Sequence, residues 1–146
     1  GAVDSPQRQF RERYEGYAQG MSEAGLVPRL QQVDYTDDRA TQGHKAIRAL
    51  MDARNPFDAL FVACDSIALG AMEELRASGI SVPEQCGLVG FDGVRAGIHT
   101  SPPLTSIEPD FDVAGAMLVA NVLGAAHRPP SQRRVPVRLL DRGSVR

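Results

Sequence analysis

"FDALFVACDSIALGAMEELRASGISVPEQCGLVGFDG", residues 57–93, decides how the chain folds. It opens with DALFVA, a nearly continuous apolar run that reads as a buried parallel strand. Asp65 or Ser66 stands where a helix N-cap belongs, the helix IALGAMEELRAS follows, and Gly79 occupies the position of a left-handed C-cap. CGLVGF is then a second buried strand. Val89 and Phe91 suit a pleated surface, whereas Gly90 and Gly93 permit close backbone approach. The strand therefore delivers Asp92 to its carboxyl end.

Working outward, no helical period follows Asp92 at once. Pro102 and Pro103 oppose the α conformation in the residues before them, so the chain is expected to stay extended until LTSI, residues 104–107. DFDVAGAMLVANVLGAA is next, a helix with apolar or small residues around most of its circumference, which calls for burial on several sides. The polar segment HRPPSQRR leads to VPVRLLDR, a last strand with Val135, Val137 and Leu139 on one face. Upstream, Ser5 and Pro6 form a helix start, Phe10, Tyr14, Tyr17 and Met21 recur at helical spacing, and Gly25 closes the element. RLQQVDY, residues 29–35, is a strand candidate, and DRATQGHKAIRALMDA places Ala46, Ile47, Leu50 and Met51 on one helical face.

Strands alternating with helices at this spacing indicate βαβ units and an α/β fold built on a doubly wound parallel sheet. Ligands of such sheets collect at the carboxyl ends of the strands. That rule singles out Tyr35, the Cys64–Asp65 pair and Asp92.

The composition narrows the function. With 146 residues, 42% hydrophobic and 23% charged, the chain is one domain or part of one. A net charge of -2 argues against autonomous nucleic-acid binding, which calls for a basic face. Cys64 and Cys86 lack metal-ligand spacing and read as two buried thiols of a reducing compartment. No apolar run approaches the roughly 20 residues that span a bilayer, so a cytoplasmic chain without membrane contact is expected. His44, His99 and His127 form no ligand constellation, and neither metal nor cofactor is expected.

DSPQRQFRERYEGYAQGMSEAGL, the 57–93 stretch, SPPLTSIEPDFDVAGAM and RLLDRGSVR, in that order and spacing, resemble the LacI/GalR transcription regulators in their effector-binding core, which is related to periplasmic sugar-binding proteins. The resemblance implies the C-terminal lobe of a type I periplasmic-binding-protein-like core. Residues 1–103 would form that lobe without its first strand, residues 104–127 would cross to a helix of the N-terminal lobe, and residues 128–146 would return as a final strand. The DNA-binding headpiece is absent from this stretch of sequence, so operator DNA would be met only through it.

The same resemblance implies a set of effector contacts. Arg13 occupies the position of the effector-contacting arginine, and its guanidinium offers a rigid fork of donors. Asp92 matches the aspartate that accepts hydrogen bonds from ligand hydroxyls. Tyr35 stands where relatives place a cleft-lining aromatic, with packing inside the lobe an equal rival. Cys64 replaces a polar asparagine or serine and is a poor hydrogen-bonding partner. Gln9, a turn before Arg13, is a weaker candidate. Leu69 and Met72, on a helix apolar beyond a single stripe, are candidates for a homodimer interface, although core packing accounts for the same pattern.

A sensing module that does no chemistry is the leading expectation, with a small-molecule effector, a sugar or related metabolite, shifting operator affinity. The alternative is a periplasmic solute-binding protein of a sugar transporter. An enzyme holding Mg²⁺ between Asp65 and Asp92 is the third reading, and no phosphate-cradling glycine motif, triad or activated nucleophile accompanies those aspartates.

Overall fold

The computed structural model describes residues 8–54, 56–124 and 134–146. Its elements run α1 (Arg8–Glu23), α2 (Arg39–Asp52), β1 (Ala59–Phe61), α3 (Asp65–Ala77), β2 (Gly87–Phe91), a 3₁₀ turn (Arg95–His99), β3 (Thr105–Pro109), α4 (Phe111–Gly124) and β4 (Val137–Leu140). The helix start expected at Ser5 and Pro6 and the loop that contains His127 lie outside the described residues.

One open sheet has the order β1-β2-β3-β4, the first three strands parallel and β4 antiparallel to β3. Successive strand residues point to opposite faces. Leu60 joins a core built by Ile47 of α2, by Ala68, Ala71, Met72 and Leu75 of α3, and by Leu88 and Leu104. Its neighbour Phe61 stacks on Tyr17 of α1, with ring centroids 6.1 Å apart. Helices therefore cover both faces of the sheet, as a doubly wound arrangement requires.

Two helix ends follow from glycine. At Gly25, with φ +70°, the Leu26 amide donates to Met21 O and the Gly25 amide to Ser22 O; at Gly79, with φ +74°, Ile80 and Gly79 donate likewise to Leu75 and Arg76. Both are Schellman closures. The α2–α3 pair is drawn together by absence of side chains. A β-carbon on Gly43 would stand 2.2 Å from Ile67 O, and one on Gly70 would stand 2.1 Å from Ala40 O. On the outer side of this crossing, Arg48 makes a two-pronged ion pair to Glu74 at 2.8 and 2.9 Å, which holds the Glu74 carboxyl below its usual range.

Four expectations need correction. Residues 29–35 form no strand: they lie outside the ladder, because the sheet among the described residues stops at β1, and Tyr35 sits in a turn. DALFVA is parallel but not buried, since β1 is a three-residue edge strand with Ala59 exposed. The chain after Asp92 is not extended as far as LTSI, because the 3₁₀ turn at Arg95–His99 intervenes. Asp65 does not cap α3: Cys64 is the N-cap residue and supplies no side-chain bond. Both thiols are free and buried, and burial pushes the Cys86 thiol up to about 11.

The C-terminal residues are built into the core. Ser144 is fully buried; its hydroxyl accepts the Thr105 amide at 2.8 Å and donates to Leu88 O, while its carbonyl accepts the Leu88 amide at 2.7 Å. One residue thus completes the ladder between β2 and β3. Truncating it orphans a buried donor and acceptor, so Ser144→Ala is expected to lower unfolding free energy by about 2 kcal/mol in urea denaturation. A loss below ~0.5 kcal/mol would refute this role. Gly70→Ala forces a methyl into backbone and is expected to cost at least ~2 kcal/mol in the same assay, whereas Gly16→Ala, whose β-carbon meets nothing within 4 Å, should be neutral or stabilising.

Candidate effector-binding cleft

Arg13 leaves α1 three residues after Phe10, on the face turned to the sheet. Its guanidinium donates to Asp92 Oδ1 at 3.0 Å and to the Ala63 carbonyl, and it lies over the Phe91 ring with Cζ 3.7 Å from the centroid. Three elements meet at this side chain: α1, the strand end leading to α3, and the end of β2. The Arg13 side chain is 17% exposed and that of Asp92 36% exposed, so both are desolvated yet reachable. Burial pushes the Asp92 carboxyl up, Arg13 pulls it back, and the buried Asp65 charge adds to the rise.

Asp92 is held in a costly backbone state, with φ +119°, a region that residues with a β-carbon avoid. Asp65 supplies the restraint. It is fully buried, Oδ2 accepts the Val94 amide at 2.7 Å, and Oδ1 accepts the Ser106 hydroxyl at 2.7 Å. Ser106 Oγ in turn accepts the Gly93 amide at 3.1 Å. The loop after Asp92 is thereby tied to α3 and to β3. Gly90 is required beside this carboxylate, since a β-carbon there would stand 2.1 Å from Asp65 Oδ1.

The structure brings Arg13 and Asp92 together directly. Cys64 lies beneath them, 6% exposed and packed with Phe10 and Ile67, and burial pushes its thiol up. Tyr35 is 43% exposed in the turn before α2 rather than at a strand end, and Gln9 is exposed in the first turn of α1. Met72 is buried in the core and Leu69 packs half-buried against it. Among the described residues no three His, Cys, Asp or Glu side chains converge to hold a metal, and the Asp65 oxygens are already committed to Val94 and Ser106.

Sequence reading missed Phe10, Phe91, Arg39 and the true role of Asp65. Arg39, the first residue of α2, lies with Cζ 5.3 Å from the Phe10 centroid, while Arg13 approaches the same ring at 5.5 Å. The parity of Phe91 with Val89, both on the α1 face, was the one available signal. Nothing local distinguishes a capping Asp65 from a buried one.

Two measurable consequences follow from the restraint on Asp92. Asp65→Asn keeps the shape but loses an acceptor, so stability should fall by about 1–3 kcal/mol and the Val94 amide should exchange with solvent faster by about tenfold or more. Unchanged Val94 exchange would show that Asp65 does not hold the loop. A raised folded-state value means that Asp92 favours folding when protonated and opposes it once pH rises through that value. Asp92→Asn is therefore expected to raise thermal stability slightly at neutral pH, by no more than ~1 kcal/mol given its partial exposure, with the difference vanishing in acid. A destabilised variant at neutral pH would contradict the sign.

The sequence matches the family described as periplasmic binding protein-like domain over residues 2–145. The helix-turn-helix-type transcriptional repressor CytR of Escherichia coli K12 is 30% identical over 137 residues, covering 92% of this chain and 40% of that protein. The chain thus spans about two fifths of the length of that curated relative. Among solved structures, a transcriptional regulator CelR–cellobiose complex aligns with TM-score 0.79 at 32% identity, over 92% of this chain and 42% of that one. A LacI-family sugar-binding transcriptional regulator from Escherichia coli, complexed with phosphate, aligns with TM-score 0.82 over 99% of this chain and 52% of that one; at 23% identity it speaks to the fold alone. The parallel sheet whose strand β2 delivers Asp92 to Arg13 of α1 is therefore that of the periplasmic-binding-protein-like domain, and the chain belongs to that family, in the branch found in LacI-type transcriptional regulators.

Proposed function

We propose that the chain is the C-terminal part of the effector-sensing core of a LacI-type, DNA-binding transcriptional regulator, and that it binds a small molecule between Arg13 and Asp92. The observation that carries this reading is that pair, half-desolvated at the carboxyl ends of parallel strands and held by a strained backbone. A carboxylate accepts two hydroxyls and a guanidinium keeps donors beyond those it spends on Asp92 and Ala63, a combination suited to a sugar or related metabolite. The solved CelR relative holds cellobiose, which supports a carbohydrate-like ligand here. The relatives are regulators rather than transporter components, which favours sensing over solute delivery.

Residues 1–103 are assigned to one lobe, residues 104–127 to the crossover and a helix of the second lobe, and residues 128–146 to the return. Surface chemistry supports the division. No residue of α4 is buried, with Leu118 65%, Val122 74% and Leu123 77% exposed, and Val137 and Leu139 of β4 are 57% and 59% exposed. A second lobe seated on that apolar area would close the cleft from above, and effector binding would shift the balance between closed and open cores. The regulator acts in the cytoplasm, catalyses no reaction, pairs with a second copy through the Leu69 side of α3, and meets operator DNA through a separate headpiece. No helix among the described residues is long and apolar enough to cross a membrane.

Thermal denaturation against sugars, sugar phosphates, nucleosides and purines tests the reading, because a ligand bound only by the folded state raises the midpoint. At least one compound is expected to raise Tm in the wild type and to lose its effect in Arg13→Ala and in Asp92→Ala. A shift that survives both substitutions would place the ligand elsewhere and refute the assignment.

A further inference from the structure

We propose that the ligand of this site carries an anionic group, a carboxylate or a phosphate, and that Arg39 is the residue that selects it. The inference rests on the effector-site reading above and adds a charge to it. Phe10 is flanked by two guanidiniums from different helices, Arg13 at 5.5 Å and Arg39 at 5.3 Å from the ring centroid. Both cations therefore border one patch of the cleft. Their surroundings differ.

Arg13 is spent on Asp92, on the Ala63 carbonyl and on the Phe91 face. Arg39 donates to the neutral Gln42 Oε1 at 3.1 Å and has no carboxylate within ion-pair distance among the described residues. The acids around it are committed elsewhere: Asp37 to Lys45 at 2.8 Å, Asp38 to the Thr41 amide at 3.1 Å, and Asp92 to Arg13. Position adds to the cost, since Arg39 is the first residue of α2, where the aligned peptide dipoles disfavour a cation. A half-buried guanidinium without an ion-pair partner among the described residues, in the least favourable turn of its helix, is open to an anionic partner. Its charge reaches the site, where burial pushes both Asp92 and Cys64 up and Arg39 opposes that rise.

The Arg13–Asp92 pair alone satisfies a neutral polyol, donor against acceptor. Arg39 adds beside it a guanidinium that makes no ion pair among the described residues, and such a fork binds carboxylate and phosphate oxygens in the same two-pronged way. The two anion sources separate experimentally.

The test uses the whole chain and inorganic phosphate and acetate as probes, at constant ionic strength with chloride as reference. Arginine side-chain N–H resonances are followed in wild type, Arg39→Gln and Arg39→Lys. Saturable shifts at Arg13 and Arg39 are expected, weakened about tenfold by Arg39→Gln and partly restored by Arg39→Lys, with the tighter of the two anions naming the source. Arg39→Gln should fold at least as stably as wild type, since it relieves the helix dipole. Shifts no larger than with chloride, or untouched by Arg39→Gln, would overturn the inference. A neutral sugar that binds through Arg13 and Asp92 with equal affinity in Arg39→Gln would overturn it too, while leaving the effector site intact.

Discussion

Asp65 has no solvent exposure, and its two oxygens divide between the Val94 amide and the Ser106 hydroxyl. Those bonds join the start of α3, the loop after β2 and strand β3, the three parts of the chain that converge on the cleft. A buried carboxylate is costly unless its oxygens are satisfied, so the network is stable only when all of its members are in place. Asp92 inherits its position from this arrangement. Without it, a residue at φ +119° would relax toward an ordinary conformation and its carboxylate would leave Arg13.

The molecule divides energetically as well as structurally. Around α2 and α3 the packing is dense: two glycines let the helices touch, and Leu75, Leu88 and Leu104 are fully buried, each worth about 2–5 kcal/mol on truncation. Around α4 and β4 the apolar surface is uncovered. The cleft lies on the rigid side, which suits a binding site. The bare side suits a surface that must meet another lobe, and joining the two through β3 lets closure of one be felt by the other.

Much of this was legible in the sequence, for a physical reason that also explains the failures. Strands β1 and β2, helix α3 and the glycine stops at Gly25 and Gly79 depend on local periodicity and backbone freedom, which a single chain displays openly. Residues 29–35 have strand-like composition, but a strand exists only when its edge finds a partner, and composition does not report partners. Asp65 follows a strand and precedes a helix as capping residues do; its burial is decided by Ser106, 41 residues away. Arg39 was invisible for the same reason, since only folding brings the start of α2 to Phe10 of α1. Asp92 followed from its place at a strand end and Arg13 from resemblance, and the geometry joins them.

A concavity lined by Met72, Arg76, Ile80 and Pro102, with a volume near 330 Å³, lies at the far end of α3 from the Arg13–Asp92 pair and offers a direct contrast. The decisive measurement is backbone amide NMR of the whole chain during titration with the first compound that raises its Tm. Binding at the proposed cleft predicts the largest shifts at Ala63, Cys64 and Asp92 to Val94, with Gly79 to Val82 unmoved. The reverse pattern, shifts centred on Gly79 to Val82 and a silent Asp92 loop, would contradict the assignment of the Arg13–Asp92 pair as the effector site.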